Sequence, residues 1–218
     1  MTHAMPSDPV SPEFRSEFAW EKELRRDDER VRTYFSELPK FIDLPQEDAV
    51  ILKRIQCREE RIPHAIPLFQ EKWDPERDPD PEEEREARDA WFRREGADIF
   101  LASIRLARGF AVLFAMDPKT ARTPEFMSLL TLLGKISAKL ADAVELAPDE
   151  LPALRRALCK RIVADLNDAI GLQNYFLNNA GNEEAVSHLC SLGTQLRVIR
   201  EDVLAMLFRA RCGGKGAN

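Results

Sequence analysis

With 218 residues, 44% apolar and 32% charged, the chain has globular composition and enough length to bury a sizeable core. Nine glycines, three of them in a C-terminal GGKG, are few for a β-rich fold and favour helices. The net charge of −6 argues against a dominant, sequence-independent grip on nucleic acid.

That charge is unevenly spread. Residues 71–96 carry 11 acidic against 6 basic side chains, whereas residues 148–212 balance at eight of each, so no stretch forms a basic domain. Cys57, Cys159, Cys190 and Cys212 form no C-x-x-C pair and no zinc spacing, which reads as reduced thiols in a cytoplasmic protein. The start, MTHAMPSDPVSPEF, lacks the basic and then apolar regions of a signal peptide. The longest strongly apolar run, FAVLFAM at 110–116, is too short to cross a bilayer. These features predict a soluble protein with no membrane partner.

In chain order, residues 1–10 read as a disordered leader and 11–61 as two helices. The first starts at Ser11 as N-cap with Pro12 at N1, and should stop at Leu38, because Pro39 disfavours helical geometry for the residue before it. Its apolar stripe is Trp20, Leu24, Val31, Phe35 and Leu38. The second spans roughly 46–61 with Val50, Ile51, Leu52 and Ile55. Residues 62–81 form an acidic connector dense in proline (Pro63, Pro67, Pro75, Pro79, Pro81), with Leu68, Phe69 and Trp73 available to tie it down.

Residues 82–212 read as an antiparallel four-helix bundle, followed by a flexible tail at 213–218. Its helices fall at about 82–116, 124–146, 150–179 and 183–211. They are punctuated by Thr123-Pro124, by Asp149 as N-cap, and by Gly181 as C′ with Asn182 as N-cap. Phe126, Leu129, Leu130, Leu133, Ile136, Leu140 and Val144 make the stripe of the second helix, with Lys135, Lys139 and Asp142 opposite. The fourth repeats the pattern through Val186, Leu189, Leu192, Leu196, Ile199, Val203, Met206 and Leu207. Between Ala97 and Met116 the first is apolar nearly all round, with Asp98, Arg105 and Arg108 in one narrow strip. Such a helix asks for cover beyond four helices, from the N-terminal pair or a second subunit.

Several side chains are candidates for a site. At about 100° per residue, Asn167, Asn174 and Asn178 lie within roughly 40° of one another, and Arg156 and Lys160 extend the line. This ridge points away from the apolar face; it is either a solvated helix face or a surface for RNA phosphates and bases. Gln173 instead leans toward the apolar sector, where a buried amide can fix register. Glu184 and His188 share one face, but as a single Glu-x-x-x-His they fall short of the paired Glu-x-x-His ligands of a di-metal bundle. Glu95 aligns with Phe92, Ile99, Leu106 and Phe110 and is expected to be salt-bridged or at a helix end.

The stretch REERIPH places Arg58 and His64 with five residues between them and Glu59 beside the arginine. This spacing is similar to the Arg–His motif of small all-helical ribonucleases of the HEPN class, and implies RNA cleavage by Arg58 and His64 as an alternative function. Pro63, directly before His64, departs from a site built near a helix end, so the family is not assigned. The sequence holds no G-x-S-x-G, G-x-x-x-x-G-K-[ST] or G-x-G-x-x-G, so no nucleotide or other cofactor is expected. The leading expectation is a non-enzymatic interaction protein, an adaptor or accessory subunit bound to a protein partner or to itself.

Overall fold

A computed structural model describes residues 15–41, 46–56, 81–115, 123–146 and 151–212. Among them the chain is all-α: α1 (Glu17–Phe41), α2 (Glu47–Gln56), α3 (Pro81–Phe92), α4 (Ala97–Ala115), α5 (Pro124–Glu145), α6 (Pro152–Asn178) and α7 (Glu183–Cys212). The chain divides into two compact units, residues 1–21 with 95–218, and residues 22–94. The first contains the four-helix bundle.

In the bundle α4 lies against α5, α5 against α6, α6 against α7, and α7 returns to α4, which closes the ring. The stripes read from the sequence form its core. Phe126, Leu129, Leu133, Ile136, Leu140 and Val144 of α5 are buried, as are Leu189, Leu192, Leu196, Ile199, Val203, Met206 and Leu207 of α7. Each such side chain contributes about 1.5–3 kcal/mol by leaving water, so these two stripes alone fix which sides of α5 and α7 turn inward. Leu130 is only half-buried and Val186 is exposed.

Capping follows the punctuation in part. Thr123 accepts from Phe126 N at 3.3 Å with Pro124 at N1, and Asn182 Oδ1 accepts from Ala185 N at 2.7 Å. The end of α6 is made differently from expectation. Asn179 is the C-cap and its Nδ2 donates to Tyr175 O at 2.7 Å, while Gly181 does not adopt a left-handed φ. With the amide side chain satisfying a terminal carbonyl, the glycine is not needed for closure. Leu151, not Asp149, precedes α6, and it offers no side-chain cap; Asp149 itself lies outside the described residues, as do Ser11 and Pro12.

The helix expected over 82–116 is two helices. Turns at Arg93 N→Ala90 O (3.2 Å) and Arg94 N→Trp91 O (3.0 Å) end α3, and Phe100 N→Gly96 O (2.9 Å) starts α4. Between them Gly96 is buried with φ +93°, a conformation glycine adopts at little cost. A Cβ there would stand 2.8 Å from Met206 Cε and 3.1 Å from its Sδ. Nor is α4 buried on most sides. Ile99, Ser103, Leu106 and Phe110 face inward, Phe100, Leu101 and Ile104 are half-buried, and Val112 is exposed.

In the second unit α1 runs through position 39 to Phe41, past the expected stop. Arg54 of α2 reaches Glu37 at 3.1 Å, Tyr34 hydrogen-bonds Asp48, and Arg54 lies over the Phe41 ring. The α1 stripe is not a core: Leu24, Val31 and Leu38 are half-covered and Phe35 is exposed, whereas Asp28 and Thr33 are buried. Of the α2 set, Ile51 and Ile55 are buried but Val50 and Leu52 are exposed.

Gly96→Ala is expected to lower unfolding stability by about 2–3 kcal/mol, combining left-handed strain with the Met206 clash. Gly134→Ala, in mid-α5 with nothing within 4 Å of the new Cβ, should instead stabilise by up to about 1 kcal/mol. Urea midpoints of the two variants against the parent chain check both.

Candidate functional site

Helix α6 carries most of the candidate residues, on two faces. On its outer face Arg156 Nε donates to Glu17 Oε2 at 2.9 Å, and Lys160 pairs with the other oxygen of the same carboxylate. Glu17 sits in the first turn of α1, whose start is held by Ser16 Oγ accepting from Ala19 N at 3.2 Å. Burial pushes the Glu17 carboxyl up, but hydrogen bonds and charge from Lys160 and Arg156 outweigh it and hold it below the usual glutamate value. Further along, Asn167 Oδ1 accepts from Arg200 Nε of α7 at 2.8 Å. Asn174 and Asn178 are exposed near the α6 end. The ridge is therefore engaged by the chain itself at Arg156, Lys160 and Asn167.

The inner face holds three buried polar side chains in the apolar stripe. Asp165, 2% exposed, accepts from Lys139 Nζ at 2.5 Å and from Lys135 Nζ at 3.3 Å. This corrects the outward placement of both lysines: Lys139 is buried, because an ionised carboxylate inside the bundle draws the cations of α5 in. Arg155, 3% exposed, donates from Nη2 to Glu95 Oε2 at 2.6 Å, and Arg209 of α7 pairs with the other Glu95 oxygen. Glu95 is thus salt-bridged, at the turn before α4. Burial raises its carboxyl, and the hydrogen bonds and charges of Arg209 and Arg155 bring it net below the ordinary value. Gln173, 1% exposed, donates from Nε2 to Leu189 O at 2.9 Å, and its Oε1 has no partner among the described residues. It fits there because Gly193 faces it; a Cβ would lie 2.7 Å from Oε1.

Sequence reasoning found Glu95 and Gln173 but missed Asp165 and Arg155. Both sit in register with Leu158, Ile162 and Ala169, and a charge within an apolar stripe was the available signal.

Of the remaining candidates, Arg58 and His64 lie outside the described residues. His188 Nε2 is 3.8 Å from Glu184 Oε1 on the exposed start of α7. Among the described residues no group of three or more His, Cys, Asp or Glu side chains could hold a metal ion. Arg105 and Arg108 are exposed on α4, and Arg105 comes together with His188 at a groove between α4 and α7. Cys159 is buried, which pushes its thiol up to about 11 and away from the reactive thiolate; Cys190 and Cys212 are exposed and free. Among the described residues no helix is long and apolar enough to cross a membrane.

The helical bundle with internally paired charges defines this protein only by architecture. No protein-family model, curated protein or solved structure matches the chain.

Asp165→Asn, which removes the buried carboxylate charge that Lys135 and Lys139 both reach, is expected to cost about 3 kcal/mol in a chemical denaturation experiment. The Glu95 pair has a pH signature. Its depressed folded value means the stabilisation is fully present above the ordinary glutamate value of 4.5 and is lost as pH falls through the folded value. The stability gap between the parent chain and Glu95→Gln should accordingly shrink as urea midpoints are followed from about pH 7 to about pH 3. A gap independent of pH would show that the carboxylate charge is not what holds Arg155 and Arg209.

Proposed function

We propose that this all-helical chain is a non-enzymatic interaction protein, an adaptor or accessory subunit that works through its helix faces. The observation that carries this reading is α4. It commits one face to the bundle and leaves Phe100, Leu101 and Ile104 half-covered, Val112 exposed, and Arg105 and Arg108 in solvent. A partner surface would gain by covering those apolar atoms, at roughly 25 cal/mol per Å². The charged groups inside the bundle point the same way. Asp165 and Glu95 are each held by two cations, an arrangement suited to fixing helices rather than to proton transfer.

The RNA reading draws less support, because Arg156 and Lys160, the cations of its ridge, are engaged with Glu17. It is tested beside the first. The adaptor reading expects either a concentration-dependent mass in light scattering behind size exclusion, or a partner retained on affinity purification from the native host. A chain that stays monomeric and retains no protein overturns it. Co-purifying nucleic acid, with a ribonuclease activity abolished in His64→Ala, would replace it with the alternative.

A further inference from the structure

We propose that the groove between α4 and α7 is the docking point for an acidic segment of a protein partner. One aliphatic or aromatic side chain of that segment would seat over Leu106, Phe110 and Leu192, with a neighbouring carboxylate held by Arg105. This rests on the adaptor reading and gives its partner a chemistry.

The groove has a floor, an opening and a charge. Leu106 and Phe110 of α4 and Leu192 of α7 provide the apolar floor, and the Phe110 ring is braced from beneath by stacking on Phe126 at 5.1 Å. The opening comes from Gly109, where a Cβ would find nothing within 4 Å, so no side chain fills the space above the floor. Its volume is about 130 Å³. Sites for drug-sized molecules and cofactors run to about 300–1,000 Å³, so this one matches a single anchoring side chain rather than a cofactor.

Charge complementarity then selects the occupant. Arg105 is exposed at the rim and has no ion-pair partner among the described residues. On the α7 side the groove's described lining is His188, Ser191, Leu192 and Gln195, with no carboxylate among them. A basic segment would meet the unneutralised Arg105 guanidinium, whereas an acidic one would find a fork-shaped donor beside an apolar seat. Ser191 and Gln195, joined by Gln195 Nε2→Ser191 Oγ at 3.2 Å, add hydrogen-bonding capacity at the rim for the segment's backbone. An apolar anchor inside a polar rim is the arrangement by which a small contact carries binding energy.

The test uses the full chain and two variants at exposed positions, Arg105→Glu and Gly109→Leu, with folding confirmed by circular dichroism. The first reverses the rim charge; the second puts a bulky side chain at the groove's glycine, where a Cβ meets nothing within 4 Å. Fluorescence anisotropy is read with three labelled pentapeptides: phenylalanine flanked by acids, phenylalanine flanked by lysines, and serine flanked by acids. Only the first should bind, and each variant should weaken it by about tenfold or more. Equal binding of the three peptides, or of the first peptide to all three chains, overturns the proposal. Tagged chains in the native host separate the two levels. A partner retained equally by parent and both variants overturns the groove and leaves the adaptor reading standing. A parent chain that retains nothing overturns both. A dimer that dissociates in Arg105→Glu would make a second copy, not a foreign protein, the occupant.

Discussion

Three polar side chains of one helix, Arg155, Asp165 and Gln173, are all but excluded from water, and the bundle must satisfy them. Each obtains its partner from a different direction. Asp165 is met by Lys135 and Lys139 of α5, Gln173 by the Leu189 carbonyl of α7, and Arg155 by Glu95 at the turn before α4. Leucines and isoleucines would tolerate a slip of one helix along another at modest cost, since apolar contacts are non-directional. A stranded carboxylate or guanidinium would not, because its desolvation amounts to several kcal/mol. Removing two charges from water roughly cancels their attraction, so these pairs add little to net stability. Their effect is to penalise arrangements in which Arg155 loses Glu95, Asp165 loses its lysines or Gln173 Nε2 loses the Leu189 carbonyl.

The same demand decides what the surface can do. Glu17, Glu95 and Asp165 each take two cations, so six of the basic side chains of this unit are committed to contacts among the first turn of α1, the turn before α4, α5, α6 and α7. The Glu17 and Glu95 carboxyls, each held low by two cations, are poor proton carriers at neutral pH. Burial likewise holds the Cys159 thiol up, away from the reactive thiolate, and prevails over the charge of Arg155. The charged groups inside the bundle thus serve its architecture.

How far this was legible in the residues depends on which signal each element carries. The stripes of α5 and α7 are nearly pure three- and four-residue repeats, and burial follows them almost residue by residue. The fold class and the order of the bundle helices follow from those repeats and from Thr123-Pro124 and Asn182. The candidate site was only half visible, because long side chains are not bound by helical phase. Lys139 lies on the side of α5 assigned to solvent, yet its flexible stem lets the ammonium reach Asp165. On α1 the apolar repeat was present but Asp28 and Thr33 are the buried residues, so periodicity without a matching partner face misleads. The Arg58–His64 spacing, lying outside the described residues, is untouched by any of this.

The break at Gly96 escaped notice for a related reason. A glycine inside a helical pattern costs only about 1 kcal/mol, too little to end a helix on sequence grounds alone. What ends it is tertiary: a left-handed φ, Met206 occupying the space a Cβ would need, and Glu95 held between Arg155 and Arg209. The break has a consequence for α4. The residues of α3 from Glu82 to Ala90 are exposed, so a continuous helix would have carried a charged segment's phase into the bundle. Restarting at Ala97 lets the later helix take its own phase, with Ile99, Ser103, Leu106 and Phe110 inward. The buried Ser103 hydroxyl then meets Ser137 of α5 at 2.9 Å, and Arg105, Gly109 and Val112 fall outside. The open edge of the α4–α7 groove thus lies where the phase of α4 turns Arg105 and Gly109 outward.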